Sequence, residues 1–178
     1  MNQIVAQALG IVAMFFHIFS YQQKTAKGII TCQLFGSLFF GVNYLLLGAY
    51  IGTIMNVVGI VRAILFLKKD TLHTERMGWL IGFGVAYVLA YLLNFTVLQK
   101  EPTLPNLLVE CLPVVGLFAT HLAFRHNSTK VIRRFCLISS VSWLIFNVVT
   151  VSIGAIACEA FSLVSIFIAM ARLDREEQ

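Results

Sequence analysis

Charged residues are scarce in this sequence. Asp, Glu, Lys and Arg make up 12% of the 178 residues, whereas 59% of the residues are hydrophobic. The mean hydropathy is +0.87. A soluble domain of this length needs far more polar surface, so the composition excludes a water-soluble protein and indicates an integral membrane protein. The lipid bilayer is therefore the first expected partner.

The sequence also lacks the motifs that carry most enzyme chemistry. It contains no nucleophile elbow, phosphate-binding loop, HExxH motif or pair of catalytic carboxylates. The four cysteines fall in apolar segments without metal-ligand spacing, as small packing residues do: Cys32, Cys111, Cys136 and Cys158. We therefore expect no enzyme activity, no cofactor and no metal site. The net charge of +5 does not indicate a nucleic-acid partner, because the basic residues lie where helix ends meet lipid headgroups.

Seven apolar stretches occupy almost the whole chain. A helix needs about 20 mostly apolar residues to cross a bilayer, and each stretch is close to that length. The first stretch lacks the basic region of a signal peptide, so we expect it to remain as a helix. The hydropathy pattern predicts helices at roughly 3–21, 28–47, 51–68, 77–98, 106–124, 131–149 and 152–172.

Lysine and arginine are almost confined to one side of this pattern. Of the thirteen, eleven lie in or beside the loops that follow the first, third, fifth and seventh stretches. Lys100 follows the fourth stretch, and Arg62 lies within the third. Cytoplasmic loops of membrane proteins carry an excess of Lys and Arg. The asymmetry therefore predicts that the N-terminus lies outside and the C-terminus lies in the cytoplasm.

A weak internal repeat relates the two halves of the chain. Residues 5–27 superpose on residues 108–130 at a separation of 103. The second stretch matches the sixth at a separation of 104, and residues 51–54 match residues 153–156 at 102. Three helices reverse the direction of the chain and a fourth reverses it again. The two units are therefore parallel repeats, an arrangement found among secondary transporters.

The fold class that follows is an all-α integral membrane protein of seven transmembrane helices. Two parallel triple-helix repeats are joined by a linker helix, in a 3+1+3 plan. The predicted parts are the first repeat, the linker helix, the second repeat and a cytoplasmic tail, at 1–70, 71–100, 101–173 and 174–178. The linker helix carries Gly78 and Gly82 at the spacing of close helix contacts, which favours either ordinary packing or a homo-oligomer through this helix.

The 3+1+3 plan is similar to that of the SWEET and PQ-loop transporters and of the vitamin-precursor carriers of the PnuC type. More closely, residues 43–67, 107–116 and 142–173 resemble the YgjV-type family of bacterial inner-membrane proteins. This resemblance implies a bacterial inner membrane, so the N-terminus that the charge asymmetry puts outside would be periplasmic. The chain departs from the SWEET pattern, because it has no Pro-Gln pair and its predicted helices contain one intramembrane proline, Pro113.

Polar and aromatic residues share one face of the second and sixth predicted helices. At spacings of i, i+4, i+7 and i+11, these faces are Cys32, Gly36, Phe39 and Asn43, and Cys136, Ser140, Trp143 and Asn147. An aromatic ring and an amide on each face suit sugars, nucleobases or cations. The two faces predict a small-molecule pocket between the repeats. The alternative is that Asn43 and Asn147 hydrogen-bond across helices as structural contacts.

The SWEET resemblance implies a further pairing at this pocket. In SWEET-like proteins an aromatic residue on the second helix of each triplet works with an Asn on the third, and Trp143 and Asn56 fit those roles. Their repeat mates, Phe39 and Cys158, fit less well, so the implied site is asymmetric. The expected substrate-binding residues are therefore Phe39, Asn43, Asn56, Trp143, Asn147 and Cys158.

Three charged residues lie within the predicted helices, away from their ends: Arg62, Glu110 and Glu159. A charge in hydrocarbon needs a partner or a function. Arg62 and Glu159 are expected to pair near the midplane if their helices face each other, which would gate a central path. Alternatively, Glu110 or Glu159 titrates and couples protons to transport. In the third interpretation Arg62 extends toward the cytoplasm and the acids hydrogen-bond locally.

The function that these features favour is transport. We expect a uniporter or proton-linked carrier of a small polar metabolite, such as a sugar, nucleoside or vitamin precursor, bound between the repeats. Two alternatives remain open. One is a non-transporting scaffold or sensor, whose central cleft would be filled by Phe and Leu. The other is a proton or ion channel that uses Glu159 and Arg62.

Overall fold

The structure is a computed structural model that describes residues 2–46, 50–149 and 153–174. Within these ranges the chain forms helices and no strand. The helices are α1 Asn2–Ser20, α2 Ala26–Leu46, α3 Tyr50–Leu67, α4 Lys69–Leu72, α5 Met77–Thr96, α6 Leu104–Arg125, α7 Thr129–Val149 and α8 Ile153–Arg172.

The prediction of an all-α membrane protein is confirmed. Each of the seven predicted segments coincides with one long helix, and the described ends agree to within one or two residues. Several predicted features lie outside the described residues: Leu47, Gly48, Ser152, Arg175 and the tail at 176–178. The helix α4 was not predicted, because four polar-rich residues leave no hydropathy signal.

In the described part of the chain, five helical stretches have the length and hydropathy to cross a membrane: Ala26–Leu46, Met77–Thr96, Leu104–Arg125, Thr129–Val149 and Ala155–Arg172. Two further apolar helices are shorter within the described residues, at Ile4–Ser20 and Gly52–Leu67. The distribution of side chains agrees with a bilayer environment. Large apolar residues such as Ile4, Phe15 and Ile81 are exposed, whereas Gln33 and Arg62 are buried. Polar groups thus lie inside and apolar groups outside, as a hydrocarbon solvent demands.

Local sequence signals define several helix ends. Thr25 precedes α2, and its Oγ1 accepts a hydrogen bond from the backbone N–H of Gly28 at 3.0 Å, as an N-cap does. Pro105 lies in the first turn of α6, where its missing N–H leaves no hydrogen bond unmade. His73 ends α4 with a φ of 49°, a left-handed conformation that turns the chain toward α5.

Helix packing is similar in the two halves of the chain. The helix α2 packs against α1 and α3, and α7 packs against α6 and α8. The halves meet through α1 with α8, α3 with α6, and α2 with α7. The helix α5 packs against α3 and α6. Six long helices therefore surround the interface between the halves, and α5 supports it from one side.

The loops rich in Lys and Arg meet at one end of the bundle, which we call the basic end. It comprises the α1–α2 loop, α4, the α6–α7 loop and residues 173–174. Lys27 forms an ion pair with Asp70 at 3.3 Å, and the Lys69 ammonium donates to the Arg125 carbonyl and to Asn127 Oδ1. Burial lowers the pKa of the Lys69 ammonium from its usual value.

Candidate functional site

A cavity of about 100 Å³ lies between the two halves of the chain. On α2 its lining runs from Gln33 to Tyr44, and on α7 from Cys136 to Asn147. At about 1.5 Å per residue, each run covers roughly 16 Å. The cavity therefore extends over about half of a hydrocarbon core of ~30 Å. Within the two runs the lining residues are also Ser37, Phe40, Ser139, Ser140 and Trp143. The remaining lining comes from α1, the residue that follows it, α3, α6 and α8: His17, Tyr21, Met55, Asn56, Gly59, Arg62, Leu117, Thr120, Ala155, Cys158 and Glu159.

The structure brings six of the nine predicted site residues to this cavity: Asn56, Arg62, Trp143, Asn147, Cys158 and Glu159. Trp143 packs closely on α6, since a Cβ added to Gly116 would lie 2.8 Å from the indole Nε1. Asn56 donates from Nδ2 to the Gly52 carbonyl at 2.8 Å, which leaves its side-chain oxygen for other partners. Cavity-facing residues thus come from both halves.

Phe39 and Asn43 do not line the cavity. The Phe39 ring stacks on Phe16 with a centroid separation of 5.6 Å. The buried Asn43 amide donates to the Ala6 carbonyl at 2.6 Å, and Gly10 leaves the space that this amide occupies. Both residues therefore join α2 to α1. For Asn43 the geometry matches the alternative interpretation, a hydrogen bond between neighbouring helices.

Glu110 also lies away from the cavity, near the end of the bundle opposite the basic end. Its side chain is 4% exposed and forms an ion pair with Lys100. Asn94 Nδ2 donates to its second oxygen at 3.1 Å. Lys100, the one basic residue predicted in an outside loop, is thus the counter-ion of this buried acid. These contacts match the interpretation of local hydrogen bonding for Glu110.

Arg62 does not form the predicted ion pair with Glu159. Arg62 is 6% exposed, and its Nη1 donates to the Leu117 carbonyl at 2.9 Å and to the Tyr87 hydroxyl at 3.3 Å. Its guanidinium carbon lies 5.1 Å from the centroid of the Phe124 ring. The buried Nε has no hydrogen-bond partner in the described part of the chain. Arg62 reaches α5 and α6, because α3 packs against those helices and not closely against α8.

Glu159 lies half-buried on α8 and faces the same cavity as Arg62. The Ser140 hydroxyl of α7 hydrogen-bonds to its carboxyl group. No described lysine, arginine or histidine forms an ion pair with Glu159. One cavity therefore contains an acid and a base that do not neutralise each other.

The α2 lining lies one residue further along the helix than predicted. Each of its positions precedes a lining residue of α7 by 103: Gln33 and Cys136, Ser37 and Ser140, Phe40 and Trp143, Tyr44 and Asn147. The predicted separation of 104 selected Phe39 and Asn43 instead. The separation of 103 already found between the first and fifth stretches, applied to the second and sixth, would have identified the correct face.

Two histidines flank this region. His17 lines the cavity and fits against Gly36, where an added Cβ would lie 2.4 Å from the imidazole. His121 is fully buried between Phe66 and Phe83, at 5.1 Å from each ring centroid, and neither ring nitrogen has a partner among the described residues. Within the described ranges, no three His, Cys, Asp or Glu side chains form a group that could hold a metal ion.

The cavity stops short of the basic end. Tyr21 and Cys136 line it and also belong to an apolar cluster beyond it. The fully or almost fully buried members of that cluster are Ile29, Phe66, Ala123, Phe124, Ile132, Ile166 and Ala169. These residues come from both halves, so closure at this end depends on the halves being in contact.

Polar contacts reinforce the same closure. The Arg133 side chain of α7 is 1% exposed and forms an ion pair with Asp174. Its Nε donates to the Tyr21 carbonyl at 3.1 Å, and its Nη2 donates to the Gln23 carbonyl at 2.8 Å. Gln22 donates to the Ser165 carbonyl at 2.8 Å. The α1–α2 loop is thereby joined to α7 and α8.

Comparison with known proteins yields one family. Residues 4–177 match Imp-YgjV, described as a bacterial inner membrane protein family. No curated protein and no solved structure matches the chain. The resemblance predicted from residues 43–67, 107–116 and 142–173 is thus confirmed for the YgjV-type family.

Proposed function

The chain belongs to this family of bacterial inner-membrane proteins, and we propose that it carries a small polar solute across that membrane. The observation that carries the proposal is the central cavity, which is lined by charged, amide and aromatic side chains in a protein with an apolar surface. Polar groups are costly inside a bilayer and mark substrate or ion pathways. The solute would bind between the halves of the chain.

The 3+1+3 plan provides the moving parts in this proposal. The units are residues 1–70 and 101–173, joined through α5. The contacts between helices support this plan. If the helices α1, α2 and α3 of the first unit correspond to α6, α7 and α8 of the second, the contact of α1 with α8 corresponds to that of α6 with α3, and the contact of α2 with α7 corresponds to itself. On α3 and α8 the separation of 103 pairs Met55 with Cys158 and Asn56 with Glu159, and all four line the cavity. Parallel repeats of this kind rock about a fixed central site.

The closed basic end would be the cytoplasmic gate. The positive-inside rule places the loops rich in Lys and Arg in the cytoplasm, with the N-terminus in the periplasm. The apolar cluster and Arg133 then separate the cavity from the cytoplasm in the state described. Solute release would require the two units to part at this end, which breaks the contacts of Arg133 and Gln22.

A carrier accounts for the cavity better than a scaffold does. A scaffold would fill the cleft between the units with Phe and Leu, because apolar packing is the cheaper solution in a bilayer. The cleft instead contains Arg62, Asn56, Asn147 and Glu159. Holding these groups together has an energetic cost that transport would explain and simple association would not.

The test is solute uptake into liposomes that contain the purified protein. Sugars, nucleosides, amino acids and vitamins are supplied as radiolabelled solutes. We expect uptake of one class, its loss in Trp143→Ala, and its retention in Trp79→Ala. Trp79 is the matched control because it is the other tryptophan of the chain and lies outside the cavity, on α5.

Two results would contradict the proposal. One is the absence of uptake for every solute by folded protein. The other is a proton flux driven by a pH gradient, without any solute, that Glu159→Gln abolishes. The second result would identify the protein as a channel.

A further inference from the structure

The cavity is lined by one acidic and one basic side chain, and neither forms an ion pair with a described residue. Arg62 contacts a carbonyl, a hydroxyl and a ring, but no acid among the described residues. Glu159 contacts the Ser140 hydroxyl, but no base in the described part of the chain. Both line the cavity, and they come from different units of the proposed fold. A buried ionisable group is tolerated when it is paired. Arg62 and Glu159 are therefore two groups to which a ligand could supply the ionic partner.

Arg62 has remaining donor capacity. A guanidinium group carries five N–H donors, and both hydrogen bonds of this one come from Nη1. The buried Nε lacks a partner within the described residues. Its contacts with Leu117 and Tyr87 hold the side chain in place without cancelling its charge. An anionic group is the partner that such a preorganised guanidinium binds best.

Glu159 lies in a different chemical setting. Glu159 shares the cavity with the rings of Phe40, Tyr44 and Trp143. Aromatic faces attract cations, and a carboxylate among them forms the usual receptor for an ammonium group. The Ser140 hydroxyl lies beside this carboxyl group. A cationic amine is therefore the complementary partner for this part of the cavity.

We propose that the cavity binds a small zwitterion, with its ammonium group on Glu159 and its carboxylate on Arg62. This inference rests on the proposed carrier function and narrows its substrate class. A zwitterion neutralises both charges at once, whereas a cation, an anion or a neutral sugar leaves at least one of them unpaired. A cavity of about 100 Å³ is several times the 10–15 Å³ that one water needs, so it admits a molecule of several heavy atoms.

The test compares ligands that differ only in charge. Glycine, β-alanine and 4-aminobutanoate form a series of zwitterions with increasing charge separation. Pentanoate has the shape of 4-aminobutanoate without the ammonium group, and pentylamine resembles it without the carboxylate. Ligand affinity is measured from the rise in melting temperature of the purified protein, because a ligand that binds the native state stabilises it by mass action.

We expect at least one zwitterion to bind at least tenfold more tightly than its singly charged isosteres. Glu159→Gln should lower the affinity for the zwitterion and leave the affinity for the carboxylate isostere unchanged, so the ratio of the two affinities falls toward one. Arg62→Met should lower the affinity for the zwitterion and leave the affinity for the amine isostere unchanged. Arg62→Lys should restore part of the affinity for the zwitterion. Glu110→Gln, a change to a buried acid outside the cavity, should leave the ratio unchanged.

The outcomes separate the two proposals. If a neutral solute binds or is transported in a manner that needs Trp143, and the zwitterions do not bind, the substrate class is wrong and the carrier remains. Equal binding of a zwitterion and its isosteres also overturns the inference. If no solute of any class binds or moves, both proposals fail.

Discussion

Replacing Arg133 is the sharpest test of how the two halves are held together. Its guanidinium is almost fully buried, and it makes contacts with four groups: two backbone carbonyls, the Thr129 hydroxyl and the Asp174 carboxylate. The substitution Arg133→Met keeps an unbranched apolar stem and removes the charge and the donors. It therefore leaves Tyr21 and Gln23 without a donor and Asp174 without a counter-ion.

The expected loss of stability follows from these contacts. Breaking a buried ion pair by removing one partner costs about 3–5 kcal/mol, because the other charge stays buried and unpaired. Asp174 is 14% exposed, which favours the lower part of this range. At 2–4 °C per kcal/mol for a protein of this size, the melting temperature should fall by roughly 6–20 °C. Removing the second charge as well, with Asp174→Asn, should recover part of the loss.

The assay is thermal unfolding of the purified protein in detergent, and the chain offers a matched control. Arg134 is the next residue on α7 and is exposed, so Arg134→Met should change stability by no more than about 0.5 kcal/mol. The two variants have the same composition. Equal melting temperatures for them, or a double variant that is no more stable than Arg133→Met alone, would refute the assignment of Arg133 as the contact between the halves.

Two further predictions concern packing and charge. Gly116→Ala should force the Trp143 ring into the cavity and destabilise the protein by about 1–3 kcal/mol. Gly82→Ala, with nothing within 4 Å of the added carbon, should stabilise its helix by up to about 1 kcal/mol. Thermal unfolding and Trp fluorescence would check both variants, and equal effects would contradict the packing argument. Lys100→Met should destabilise the protein by about 1–3 kcal/mol by leaving Glu110 unpaired, and adding Glu110→Gln should reverse most of this in the same assay, which a purely additive result would contradict.

The residues predicted for the α7 face line the cavity, because polar residues mark one side of this helix. Ser139 and Ser140 lie on the same side as Trp143 and Asn147. The α2 face was placed one residue away from the observed one. One residue is a rotation of about 100° on a helix. In lipid both sides of α2 are apolar enough to face either a neighbour or the bilayer, so periodicity alone does not select the side.

The sequence by itself determined that the protein is surrounded by a lipid bilayer, and it determined the long helices and their approximate ends. These properties depend on local composition, since a helix satisfies its own backbone and hydropathy is a sum over neighbouring residues. The resemblance of residues 142–173 and the other two stretches was also enough to identify the family. The distribution of Lys and Arg predicted which loops meet, and those loops do contact each other at the basic end.

Only the tertiary structure decided which charges meet. Lys100 binds Glu110, and Arg133 binds Asp174, whereas Arg62 turns toward α5 and α6 and leaves Glu159 without a basic partner among the described residues. Such pairings depend on the rotation of each helix and on the choice of neighbours, and both are set by side-chain packing over the whole bundle. The separation of two opposite charges in one cavity is therefore a property of the folded protein that no spacing in the sequence predicts.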